Sequence, residues 1–132
     1  MARKRQDVTD AELAVLQVLW DRGQATIRQV VDLLYPGGSV SEYATVKTLL
    51  ARLEEKGYVS RDNQDLAHVF RAATSRDDLV DQRLQAVADN LCGGSRVPLL
   101  MNLLRSERLS ADERKELRRF LDKLSRSGPK RT

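Results

Sequence analysis

Three side chains in the middle of the chain have the types and spacing to read a nucleic acid. Thr45, Thr48 and Arg52 recur at i, i+3 and i+7, so a helix brings them onto one face. Threonine hydroxyls can bond phosphates or base edges, and their methyl groups can touch thymine. Arginine can fork onto guanine. The same helix would carry Val46, Leu50 and Leu53 on a second face, with Leu49 at its edge. That apolar face would seat the helix on a small core, and the short cationic face suits entry into a major groove.

The elements needed to hold such a helix are spelled out around it. Thr9 and Glu12 stand at capping-box spacing ahead of the stripe Leu13, Leu16, Leu19 and Trp20, and Gly23 is placed to end that helix. Thr26 reads as the N-cap of a second helix carrying Ile27, Val30, Val31 and Leu34. The breaker Tyr35-Pro36-Gly37-Gly38 follows, and Ser41 is expected to open the third helix, which Gly57 closes. Tyr58–Arg61 and Leu66–Arg71 read as two strands, with a turn over Asp62-Asn63-Gln64-Asp65. Helix, helix, helix, hairpin is the order of a winged helix-turn-helix, with the wing beside the groove and Arg61 as a phosphate contact.

From Ser75 the pattern changes. Val80, Leu84, Val87 and Leu91 recur at intervals of four, three and four, a coiled-coil-like seam that Gly93-Gly94 interrupts. Residues 97–104 are apolar nearly all round, through Val97, Leu99, Leu100, Met101, Leu103 and Leu104. A second capping box, Ser110 and Glu113, opens a last helix striped by Leu117, Phe120, Leu121 and Leu124. Three such helices hold too little core to stand alone and too much apolar surface to leave wet. The expected fold is mainly α with a small β-hairpin wing. Residues 1–74 would form a winged-helix DNA-binding domain, and residues 75–132 a three-helix dimerisation domain with a basic tail at Lys130 and Arg131. The dimer would be built by Val80, Leu84, Val87, Leu91, Val97, Leu100, Met101, Leu104, Leu117, Phe120 and Leu121.

Composition narrows the alternatives. The 132 residues are 41% hydrophobic and 32% charged, with only 5% aromatic, so the cores must be small and aliphatic. Net charge is +4, but residues 1–74 balance ten lysines and arginines against ten aspartates and glutamates. Global basicity therefore does not argue for DNA binding; only local clustering can, with Arg3, Lys4 and Arg5 as a candidate arm. One cysteine, Cys92, excludes an internal disulfide and a multi-cysteine metal site, and reads as a small apolar residue near a helix end. His68 is the single histidine and reads as a strand residue rather than a switch. One histidine and one cysteine far apart offer no metal triad or nucleophile–base pair, and neither Gly-Gly pair follows a strand as a phosphate loop would. An enzyme and a cofactor are not expected. No apolar run approaches the roughly 18 residues of a membrane span, so no membrane insertion and a cytoplasmic location are expected.

The chain resembles the BlaI/MecI family of penicillinase and methicillin-resistance repressors. The resemblance is carried by Glu12–Trp20, Thr26–Val30, Tyr43–Leu53, Glu55–Val59 and Ala67–Arg71, and in pattern it extends from about residue 8 to 124. It implies a homodimer that binds a double-stranded operator through the third helix and pairs through its C-terminal helices. Contacts to DNA would come from Thr45, Thr48 and Arg52, flanked by Ser41, Tyr43 and Lys47, with Ala44 standing where some relatives have lysine. It also implies a membrane sensor protease that triggers a cut at Asn102–Leu103, where the best-known members have Asn-Phe. A copper-responsive branch has clustered cysteines that this chain lacks. Twofold protein symmetry would match a palindromic operator, giving a transcriptional repressor relieved by proteolysis. The alternative is a winged helix used for protein contact without specific DNA binding, which the neutral charge of residues 1–74 also fits.

Overall fold

Each helix of the N-terminal half starts where a hydroxyl and an acid or amide three residues later can satisfy one another. The computed structural model describes residues 7–64, 67–105 and 107–127. The suggested basic arm and tail at residues 3–5 and 130–131 lie outside the described residues. The elements are α1 (Asp10–Arg22), α2 (Ile27–Leu34), α3 (Val40–Lys56), β1 (Val59–Gln64), β2 (Ala67–Ala72), α4 (Arg76–Leu91), α5 (Val97–Arg105) and α6 (Ala111–Ser127). No described helix is long and apolar enough to cross a membrane. Contacts divide the chain into two compact units between Val80 and Asp81.

Capping boxes open α1 at Thr9–Glu12 and α2 at Thr26–Gln29. The third corrects the sequence reading. Ser39, not Ser41, is the N-cap of α3, because Glu42 sits three residues after it and reaches back to its backbone N–H. The helix starts two residues early, and Ser41 lies inside its first turn. A fourth box, Ser110–Glu113, opens α6 as expected.

The core of the first unit is aliphatic. Val15, Leu16 and Leu19 of α1, Val30 and Val31 of α2, and Val46, Leu50 and Leu53 of α3 are essentially inaccessible. Leu13, Trp20, Ile27 and Leu34 pack partly against them. Trp20, the single tryptophan, donates its indole N–H to the Thr74 carbonyl at 2.8 Å, and the Arg76 guanidinium lies 5.0 Å from its ring centre.

The exit from α3 sets the wing. Gly57 takes φ 89° and ψ 12°, a left-handed conformation that costs a residue with a Cβ. Its N–H bonds the Glu54 carbonyl, and the Tyr58 N–H bonds the Leu53 carbonyl, the pattern of a Schellman turn. That turn drives Tyr58 into the core beside Leu53, both fully buried, and launches β1. Strands β1 and β2 pair antiparallel, Val59 opposite Ala72 through Gln64 opposite Ala67. The expected turn over residues 62–65 is therefore too long: Asp62, Asn63 and Gln64 belong to the strand, and the connection, residues 65–66, lies outside the described residues. A bridge from Ala25 to Phe70, with both backbone bonds below 3.0 Å, stitches the α1–α2 connection to β2.

One buried ion pair crosses this unit. Lys56, the last residue of α3, donates to the Glu12 carboxylate at 2.7 Å and to the Asp7 carbonyl at 2.9 Å. Glu12 is only 1% exposed and Lys56 16%. Burial raises the Glu12 carboxyl, but hydrogen bonds from Lys56 and Thr9 outweigh it and hold the group below its ordinary value.

In the second unit, Arg96 fixes the α4–α5 corner. Its Nε donates to Gln85 and its Nη1 to Asp81, both at 2.7 Å. Little apolar surface is covered here. Ala88 of α4 is buried, whereas α5 buries no residue.

Glu12→Gln would strand a nearly buried ammonium, costing about 3 kcal/mol, the lower end for a broken buried pair because Lys56 keeps some water contact. The folded carboxyl sits below its unfolded value of about 4.3, so the pair stabilises the fold above that pH and the gain is lost as pH falls through the folded value. Urea unfolding of wild type and E12Q should therefore differ at pH 7 and converge as pH falls through the lowered folded value. Equal midpoints at pH 7 would show that the pair contributes nothing.

Candidate nucleic-acid interface

Helix α3 has the two faces its spacing implied. Val46, Leu49, Leu50 and Leu53 are buried, while Ser41, Ala44, Thr45, Lys47, Thr48 and Arg52 are exposed. Ser41, Ala44, Thr45, Thr48 and Arg52, with the edge of Leu49, line one shallow open concavity. The structure thus brings together four of the seven residues assigned to DNA from sequence.

The chemistry on this surface is specific. The Thr45 hydroxyl donates to the Ser41 carbonyl at 3.1 Å, the i−4 back-bond of a helical threonine. With its proton so engaged, the hydroxyl oxygen of the exposed side chain is left to accept, which suits a base amino group. Arg52 and Lys47 have no ion-pair partner among the described residues, so their donors and charge are available. Neither needs desolvating from a carboxylate before meeting a phosphate or guanine.

Tyr43 is half-buried and packs against the core. The Arg28 guanidinium lies 5.3 Å from its ring centre. Arg28 reaches Asp32 at 3.7 Å, one turn along the exposed side of α2. Sequence reading did not single out Arg28; nothing in its own helix marks it, and only the packing of α2 beside α3 brings it to Tyr43.

Arg61 is placed differently from the other candidates. Its Nη2 and Nε donate to the two oxygens of Glu54 at 2.7 and 3.1 Å, and its guanidinium lies 5.1 Å from the Phe70 ring centre. The hydrogen bonds from Arg61 hold the Glu54 carboxyl low, and the same pair raises the Arg61 guanidinium. His68 is exposed and sits opposite Asn63 on the hairpin. Among the described residues, no three His, Cys, Asp or Glu side chains come together as a metal site would need.

The second unit places its assigned residues on the surface of the single chain. Leu84, Val87 and Leu91 of α4, and Val97, Leu100, Met101 and Leu104 of α5, are all exposed. On α6, Leu117, Phe120, Leu121 and Leu124 are between 39% and 57% exposed, an uncovered stripe at i, i+3, i+4 and i+7. Val80, at the end of the first unit, is also exposed, although its neighbour Leu79 joins the core there. Asn102 and Leu103 lie within α5, both exposed. Cys92, a free thiol, is half-buried just past α4.

Comparison with known proteins agrees with this architecture. Residues 8–123 match the penicillinase repressor family. A transcriptional regulator BlaI from Mycobacterium tuberculosis is 38% identical over 117 residues, covering 87% of this chain and 83% of that protein. A penicillinase repressor from Staphylococcus aureus is 25% identical over 126 residues, covering 96% of this chain and 99% of that one. A MarR family protein from Bacillus stearothermophilus, at 20% identity and a TM-score of 0.50, covers 92% of this chain and 76% of its own, a likeness of fold alone. With the match running from the first helix cap to the last apolar stripe, this winged-helix chain belongs to the penicillinase repressor family.

Proposed function

We propose that this protein is a sequence-specific transcriptional repressor that binds a palindromic operator as a homodimer. The observation that carries the reading is the concavity on α3, where Ser41, Thr45, Thr48 and Arg52, which has no ion-pair partner among the described residues, share one exposed face of a helix seated on a buried one. Tyr43 and Lys47 flank that edge. The relatives named as a BlaI regulator and a penicillinase repressor support it. Such a protein works on chromosomal DNA in the cytoplasm.

Dimerisation rests on the uncovered apolar surface of α4, α5 and α6. A second copy is the occupant that fits, since a twofold operator requires a twofold reader. Pairing makes the second half-site contact intramolecular, so affinity for DNA depends on it. A cut at Asn102–Leu103 by a sensor protease would divide α5, unpair the protomers and release the operator with the reading helix intact.

Selection from a random duplex pool should recover inverted half-sites spaced by one helical turn, about 10 base pairs, or a multiple of it. Affinity should fall steeply with salt while the preference for that site persists. Weak, sequence-blind binding would instead support the protein-contact reading that the neutral first 74 residues allow. Arg52→Gln should weaken binding to the selected site by about 1–3 kcal/mol in fluorescence anisotropy. Leu100→Asp or Leu121→Glu should sediment as a monomer and bind the full site on the order of a hundredfold more weakly. A dimer with wild-type affinity from both variants would refute the assigned pairing surface.

A further inference from the structure

The two arginines of the described wing strands are both occupied from within. Arg61 is held bidentately by Glu54, and Arg71 lies 3.3 Å from Asp62 and donates to Gln24 at 2.7 Å. Neither arginine of the described wing strands is therefore free of an internal partner. The Glu54–Arg61 pair also joins two elements, the last turns of α3 and the first turn of the hairpin, across the left-handed turn at Gly57. Phe70 beneath the guanidinium is buried and bridged to Ala25, so the clasp rests on a fixed base. Side chains alternate along a strand, so Arg61 and Asn63 share a face, as do their partners Phe70 and His68. Beyond the clasp, that face continues with the exposed Asn63 and His68.

We propose that the wing is a strut fastened to the reading helix by Glu54 and Arg61, presenting the hydrogen-bonding edge at Asn63 and His68 to DNA instead of gripping phosphate with Arg61. This deepens, and rests on, the DNA-reading function argued above. Glu54 and Arg61 are positioning residues. The ionic part of binding from the described residues then comes from α3, where Lys47 and Arg52 have no ion-pair partner among the described residues. The opposite arrangement, in which Arg61 leaves Glu54 for a phosphate, makes Glu54 a competitor of DNA.

The two arrangements give opposite signs for one substitution. In the full chain, titrated with its selected duplex between about 50 and 200 mM salt, Glu54→Gln and Arg61→Gln should each weaken binding roughly three- to fivefold, the scale of a partly exposed ion pair. The slope of log affinity against log salt should stay parallel to wild type. Arg61→Lys, which keeps the charge but loses the fork, should weaken binding as much as Arg61→Gln. The double reversal Glu54→Arg with Arg61→Glu should recover binding toward wild type. Lys47→Gln serves as the ionic control and should lower the slope by about one. The strut is overturned if Glu54→Gln tightens binding, or if Arg61→Gln lowers the slope by about one while Arg61→Lys leaves affinity and slope intact. Wild type with no preference for any duplex would sink the repressor reading itself, a separate result.

Discussion

A single nearly buried ion pair, Glu12 with Lys56, ties the beginning of α1 to the end of α3. Glu12 caps its own helix by accepting the Thr9 N–H and simultaneously accepts the Lys56 ammonium. A carboxylate so far from water is tolerable only because several donors surround it. Its placement matters more than its energy. Lys56 immediately precedes Gly57, so the pair anchors the residue from which the chain swings left-handed into Tyr58 and the wing. On the reading side of the same turn, Glu54 takes Arg61. Two acid–base contacts, one buried and one half-exposed, thus fix both edges of a single glycine hinge. The orientation of α3 relative to its hairpin follows from them.

Much of this arrangement was legible from local patterns. The caps Thr9, Thr26 and Ser110, the stops Gly23 and Gly57, and the two-faced third helix are encoded within a few residues, so spacing alone locates them. The start of α3 was misplaced because two serines compete there, and only the reciprocal acid at Glu42 decides between them. The hairpin was read too short because Asp62, Asn63 and Gln64 are turn-formers by local preference. Pairing with Val69, His68 and Ala67 overrides that preference, as cross-strand partners commonly do. Glu12–Lys56 spans 44 residues and follows no helical or strand period, so no pattern in the sequence announces it. Glu54–Arg61 is closer, but its seven-residue separation becomes contact only through the left-handed turn between them.

The two units differ in how they satisfy their apolar surface. The first closes its own core: three helices and a hairpin cover Leu16, Leu50, Leu53 and Tyr58 completely. The second leaves Leu100, Leu103, Phe120 and Leu121 more than half exposed. The first unit thus encloses its own apolar core, whereas the second leaves much of its apolar surface open.

Trp20 gives this protein an intrinsic optical reporter. It is the sole indole in the sequence, and its N–H is held by the Thr74 carbonyl while Arg76 covers its face. Its surroundings are therefore the segment where the hairpin hands over to α4. Ultraviolet emission from the unlabelled chain reads the state of that junction and of the core edge on which Trp20 packs, against a background of only three tyrosines. Loosening of residues 74–76 would register as a spectral shift without any dye or tag.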